Sequence, residues 1–303
     1  MAEQKTASRR GFLTYGVQAG AALGAAVAAS PAWSAAPSQR SRPLVIDSMM
    51  HLEVYKSRTE GYYWESFLEE VLEHYEAAKI DKGVILTTWT PSRESNDRTL
   101  RAYEEHPDRF IPFGHVRPED PDWQRELKRV SEPPWKGLKL HEGEIERAGD
   151  LRETTRTVTR KAAELGIRIF KIHLVNYDII EELTRELSEV TWILPHMGCY
   201  GRWGDMQKYC ELAKNRKNVY LDTSAVAHYW MFGKAFRWAG VDKITFASDG
   251  FMMSTIVEKA KIETLQLPSP YRTPKLTDEE LAKILGGNMA RVLGIPPYTT
   301  ETK

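Results

Sequence analysis

Lys243-Ile-Thr-Phe-Ala-Ser-Asp249-Gly250 is the stretch whose reading decides the fold. Ile244 to Ala247 is an apolar run of strand length, and it runs out into Ser248, Asp249 and Gly250. A carboxylate at the end of a buried strand is costly unless it has a partner. Four histidines stand in the same setting. His51 follows Leu44-Val-Ile-Asp47, His141 ends Gly137-Leu-Lys-Leu140, His173 ends Ile167-Arg-Ile-Phe-Lys-Ile172, and His196 ends Trp192-Ile-Leu-Pro195. Strands lying parallel in one barrel would gather all five side chains at one mouth. Imidazoles and a carboxylate there can hold a divalent metal and handle protons.

Working outward, the chain alternates buried strand and amphipathic helix. The apolar runs predict strands over Leu44–Ser48, Gly83–Thr88, Phe110–Val116, Gly137–His141, Ile167–His173, Thr191–His196, Val219–Thr223 and Lys243–Ser248. Nearly continuous apolar strands are what a parallel sheet covered on both faces requires. A helical stripe of Phe67, Leu68, Val71, Leu72 and Tyr75 lies within Trp64 to Lys79. Asp150 is placed to cap a helix from Leu151 to Leu165, and Thr277-Asp-Glu-Glu280 is a capping box opening the last helix. Eight such units in roughly 260 residues match a single TIM (β/α)8 barrel. The competing open doubly wound sheet often carries a Gly-rich phosphate loop after its first strand, and none is present.

Residues 1–36 read as an address rather than as fold. Ser8-Arg-Arg-Gly-Phe-Leu13 is a twin-arginine pattern, followed by an Ala- and Gly-rich run to Ala29 and small residues around Ala32 to Ala36. The expectation is export by the twin-arginine machinery to the periplasm, leaving one domain over 37–303. Without Lys5, Arg9, Arg10 and Glu3 the remainder has 39 basic and 41 acidic side chains, a net charge of −2. That balance gives no ground for a nucleic-acid partner, and a small-molecule substrate is expected. Cys199 and Cys210 are read as free thiols, because two cysteines make no disulfide framework.

The motifs together resemble the amidohydrolase superfamily, in the amidohydrolase-related branch of metal-dependent hydrolases, lactonases and nonoxidative decarboxylases. The residues carrying the resemblance are Ile46-Asp47-x-x-x-His51, His173, Pro195-His196-Met-Gly198, Ala247-Ser248-Asp249 and the closing Asn288-Met-Ala-Arg-Val-Leu-Gly294. It implies one divalent ion, zinc, on His51, His173 and Asp249, with Asp249 as general base and His196 polarising a carbonyl or steadying the water. His141 and Arg202 are candidate substrate contacts. Lys139 and His115 stand between structure and substrate contact, His74 and His106 read as surface, and Tyr62-Tyr-Trp64 as packing or a pocket wall. One position departs from the family pattern. Met49 stands where the first strand's first metal-binding histidine is expected, and a neutral thioether is a poor zinc ligand. The implied activity is hydrolysis of a small amide, ester or lactone. Decarboxylation of an aromatic or unsaturated acid on the same site is one alternative, and a noncatalytic binding protein on a decayed barrel is another.

Overall fold

The computed structural model describes residues 41–52, 54–56, 63–65, 68–268 and 275–300. The export signal at 1–36 and Tyr62 lie outside the described residues, as do the side chains of Tyr63 and Trp64. Eight parallel strands form one sheet: β1 Ile46–His51, β2 Lys82–Leu86, β3 Phe110–His115, β4 Gly137–His141, β5 Ile169–His173, β6 Thr191–Leu194, β7 Val219–Asp222 and β8 Ile244–Thr245. Each pairs with its neighbour in sequence. The seam between β8 and β1 is drawn together by Ser48 N–H to Phe246 O (2.9 Å), Asp249 N–H to Met49 O (3.0 Å) and a parallel bridge between Met50 and Gly250. With helices between successive strands, this is the expected (β/α)8 arrangement.

Strand alternation sorts the side chains into two layers. Leu138 and Leu140 of β4, Phe170 and Ile172 of β5, Trp192 and Leu194 of β6, and Val219 and Leu221 of β7 all join the larger apolar cluster, which also holds helix residues such as Val158, Ile180 and Phe232. Ile46, Val84, Phe113, Ile193 and Ala247 form a second, smaller cluster with Met289 and Ala290 of the closing helix Asn288–Leu293. Strand residues that skip the helix-facing cluster therefore face the barrel interior: Lys139 and His141, Lys171 and His173, Asp222 and Thr245.

The expected caps form. The Asp150 side chain accepts from Glu153 N–H (2.9 Å), and Thr277 and Glu280 make the reciprocal capping box. Asn288 fastens the closing helix to the start of β8 by donating to Val241 O and Ile244 O, both at 2.7 Å. The preceding π-helical turn, Lys283–Gly287, approaches the chain leading into β1 so closely that a Cβ on Gly286 would lie 1.7 Å from the Leu44 carbonyl oxygen. Only glycine allows that approach. Cys199 and Cys210 are buried free thiols. Among the described residues no helix is long and apolar enough to cross a membrane.

Candidate active site

The interior positions of β4 and β5 are in register, Lys139 beside Lys171 and His141 beside His173. Two lysines thus occupy one layer and two histidines the layer nearer the carboxyl end. At that end His51, Thr88, Trp89, Lys139, His141, His173, His196, Tyr200, Asp249 and Met252 line a cavity of about 310 Å³. The rings pack edge to face, with centroids 4.7 Å apart for His141 and His173 and 4.9 Å apart for His173 and His196. Tyr200 closes on His196 at 4.8 Å, and Trp89 on His141 at 5.4 Å.

His51 Nε2 lies 3.2 Å from Asp249 Oδ1. Burial alone would raise the Asp249 carboxyl. The hydrogen bond and charge of His51, with further positive charge from His196 and Lys139, instead hold it well below the usual carboxylate range. The same burial pushes the imidazoles toward their neutral forms. His141 falls to about 4, through burial and then the charge of Lys139. His173 is driven well below its ordinary value by the same two causes, and His196 is lowered chiefly by burial. Backbone strain gathers here too. Trp89, His196 and Asp249 have φ of 64°, 57° and 57°, in the left-handed region that non-glycine residues seldom occupy. Such strain persists where surrounding contacts over-determine it. For Asp249 those contacts are its backbone bond to Met49 and that of Met253 N–H to Asp249 O (3.1 Å).

Beneath His196 runs a buried polar chain. Its Nδ1 lies 3.0 Å from Ser224 O and 2.9 Å from Ser224 Oγ. Ser224 Oγ donates to Asp222 Oδ1 (2.5 Å), so its one proton is committed there. A carbonyl oxygen only accepts, so His196 Nδ1 carries the hydrogen and Nε2 keeps the lone pair. Asp222 Oδ1 also accepts from His196 N–H (3.0 Å) and Ser224 N–H (3.1 Å), while Oδ2 takes Lys171 Nζ at 2.6 Å, both side chains fully buried. On the other flank Asp47 braces the β1–β8 seam, accepting from Ser248 N–H (2.8 Å), Met49 N–H (3.1 Å) and Tyr75 O–H (3.2 Å). Burial pushes its carboxyl up to about 6 despite these bonds.

Five of the expected site residues, His51, His141, His173, His196 and Asp249, therefore meet in one cavity, and Arg202 does not. Arg202 is exposed and outside the cavity lining. His115 is buried, with Nδ1 3.3 Å from Lys139 O and Nε2 3.2 Å from Glu144 Oε2, and is not part of the lining. His74 is exposed and His106 half-buried. Trp89, Tyr200 and Met252 line the cavity from loops, where no periodicity points to them, and Thr88, read as the end of the second strand, lies just beyond β2. Lys171, Asp222 and Ser224 were also missed. The signal for the lysines is the shared pattern Leu138-Lys-Leu-His141 and Phe170-Lys-Ile-His173, which puts a lysine on the histidine's own face of each strand.

A family model described as amidohydrolase matches residues 48–295. The chain belongs to the amidohydrolase family. Solved structures with the same fold include 2,6-dihydroxybenzoate decarboxylase from Rhizobium, at 17% identity and a TM-score of 0.65 over 84% of this chain and 99% of that one. A 5-carboxyvanillate decarboxylase from Novosphingobium aromaticivorans, complexed with manganese and a nitrobenzoic acid, has 15% identity and a TM-score of 0.63 over 84% and 96%. An amidohydrolase from Burkholderia multivorans has 13% identity and a TM-score of 0.65 over 84% and 100%. At these identities the likeness establishes the fold. A search of curated proteins finds no match.

Manganese in such relatives poses the question of metal for this amidohydrolase-family chain, and its own donor set answers it. The strand that would supply a first imidazole supplies Met49, whose sulfur lies 3.8 Å from Lys139 Nζ. The Lys139 ammonium thus lies beside the β1 side chain that stands in place of that imidazole. A divalent ion bound close to that ammonium would be repelled by its charge. Among the described residues no group of three or more His, Cys, Asp and Glu side chains is placed to hold a metal ion. His51, His173 and Asp249 share the cavity without forming a ligand set as they stand. The residues present do not fit a divalent ion, and no zinc- or manganese-dependent step is assigned to them.

Proposed function

We propose that this enzyme hydrolyses a small amide, ester or lactone, with Asp249 as general base and His196 steadying the attacking water. The observation supporting the reading is the pairing, across one cavity, of an ionised carboxylate with an imidazole whose outer nitrogen is an acceptor. Water donates one hydrogen bond to His196 Nε2 and gives its proton to Asp249 as its oxygen attacks the carbonyl carbon. The tetrahedral intermediate collapses by breaking the bond to the leaving nitrogen or oxygen, which takes that proton back. A cavity of about 310 Å³ walled by Trp89 and Tyr200 suits a substrate of one planar ring.

Nonoxidative decarboxylation is the second reading, favoured by the likeness to two aromatic-acid decarboxylases. Here Asp249 would handle a proton at carbon. The noncatalytic alternative has against it the intact pair of His51 and Asp249. A panel of small lactones, aryl esters, anilides and hydroxybenzoates, incubated in oxygen-18 water, separates the two reactions. Hydrolysis places one heavy oxygen in the product carboxylate and releases no carbon dioxide. Carbon dioxide from an aromatic acid, with no heavy oxygen in the aromatic product, would overturn the hydrolase reading.

The enzyme is further proposed to work in the periplasm, on the strength of Arg9 and Arg10. An Arg9→Lys/Arg10→Lys precursor is expected to stay in the cytoplasm at full length, and normal export of that variant would refute the assignment.

A further inference from the structure

We infer that the fixed positive charge of this site is the Lys139 ammonium, standing in for the divalent ion of metal-containing relatives, so that the enzyme works without bound metal. The metal-free part stands on geometry alone, and the use of the charge on a developing oxyanion rests on the hydrolase reading.

Lys139 sits two residues before the end of β4 on the interior face, in the position of the chain that carries it inward with His141. Its side chain is 2% exposed yet reaches the cavity wall. Of the described residues lining that cavity it is the only lysine or arginine. Burial and then the charge of Lys171 lower the Lys139 ammonium to about 8, while Asp249, Asp222 and Glu144 act to keep it charged. Asp222 is already spoken for by Lys171 at 2.6 Å, and Glu144 by His115 and Arg117. Asp249, paired with His51 at 3.2 Å, is the one of the three anions that shares the cavity lining with Lys139.

A histidine in place of Met49 would bring an imidazole to the same place as the lysine tip. The thioether instead gives Lys139 Nζ a weak acceptor at 3.8 Å and makes no claim on a hard cation. The two residues read as one exchange: an imidazole and a metal on one side, a methionine and an ammonium on the other. An ammonium can perform the metal's electrostatic task, holding Asp249 ionised and stabilising negative charge that grows on a substrate oxygen. It cannot acidify a bound water as a metal does. Water activation therefore falls on Asp249 and His196, and the substrate class narrows to those bearing a carboxylate or an acyl group with a good leaving group.

Two readouts that need no turnover test this on the full chain. The first is metal content by elemental analysis after incubation with manganese or zinc chloride and desalting. The parent is expected to retain far less than one ion per chain, and the Met49→His/Lys139→Met variant close to one. The second is calorimetric titration with benzoate as a carboxylate probe. Lys139→Met is expected to weaken benzoate at least about tenfold, with Lys139→Arg recovering much of the loss, as removal of a charge-assisted hydrogen bond requires. A parent retaining close to one ion per chain would overturn the inference. So would a folded double variant, by circular dichroism, that takes up no ion, or a Lys139→Met variant that binds benzoate as tightly as the parent. The oxygen-18 experiment reads bond cleavage and these read charge, so either reading can fail without the other.

Discussion

Asp249→Asn is expected to lower kcat by about 10²–10⁴-fold on whichever substrate the panel identifies, the range for loss of a positioned general base. KM should change little, because the carboxylate acts on a proton in flight rather than on the resting substrate. The substitution is a clean one for a reason particular to this site. Asp249 has a φ of 57°, and asparagine is among the few side chains that tolerate the left-handed region. The backbone bonds to Met49 O and from Met253 N–H survive, since neither uses the carboxylate. An amide oxygen can still accept from His51 Nε2, now 3.2 Å from Asp249 Oδ1. What disappears is the negative charge and with it the proton acceptor. Alanine at the same position would add backbone strain to the chemical loss and confuse the two. Steady-state kinetics with a thermal melt on the same preparation make the test. A variant retaining activity within about threefold of the parent would fall outside the general-base range and remove Asp249 from the mechanism.

How far the sequence carries to this site depends on whether periodicity or loop geometry sets each residue. β4 is read to the residue, and β3, β5 and β7 to within two at each end, because apolar runs there coincide with hydrogen-bonded register. β1 is read as Leu44–Ser48 and found at Ile46–His51. Its apolar pattern is broken by Asp47, which is buried because Ser248, Met49 and Tyr75 satisfy it, and partners 28 and 201 residues away leave no trace in a local pattern. β8 is read as Lys243–Ser248 and found at Ile244–Thr245, since the chain beyond it bends toward the left-handed Asp249 while still bonding β1. His51, His141 and His173 were legible because they end strands, and His196 and Asp249 because they follow the apolar runs of β6 and β8. Lys139 and Lys171 were half-legible, since a lysine two residues before a site histidine must share its face. Trp89 and Tyr200 sit on loops, where residue order does not fix direction. Arg202, on the same loop as Tyr200, shows this from the other side by lying outside the cavity.

Lys171→Met is expected to destabilise the fold by about 3–5 kcal/mol, the cost of leaving one partner of a buried ion pair uncompensated. Methionine approximates the lysine stem, so the change removes charge with little change of volume. Asp222 would then stand fully buried without its cation, while Oδ1 goes on accepting from His196 N–H, Ser224 N–H and Ser224 Oγ. Relief of the repulsion between Lys171 and Lys139 offsets part of this cost. The pH dependence gives the assignment a signature. Burial pushes the Asp222 carboxyl up, but Lys171, His196 and the hydrogen bonds outweigh it and hold it below its ordinary value. A depressed carboxyl contributes stability above its unfolded pKa of about 3.9 and loses it as pH falls through the folded value. The parent's advantage over Lys171→Met should therefore be full at pH 7 and shrink in acid below about pH 4. Urea denaturation at matched pH values measures it. Lys171→Met/Asp222→Asn, which removes both charges and keeps an acceptor for Ser224, should recover much of the loss, because desolvation of the pair offsets most of its attraction. If the single variant loses less than about 1 kcal/mol at pH 7, the ion pair is not what holds Asp222. The tautomer of His196 would then need another support than the chain running down to Lys171.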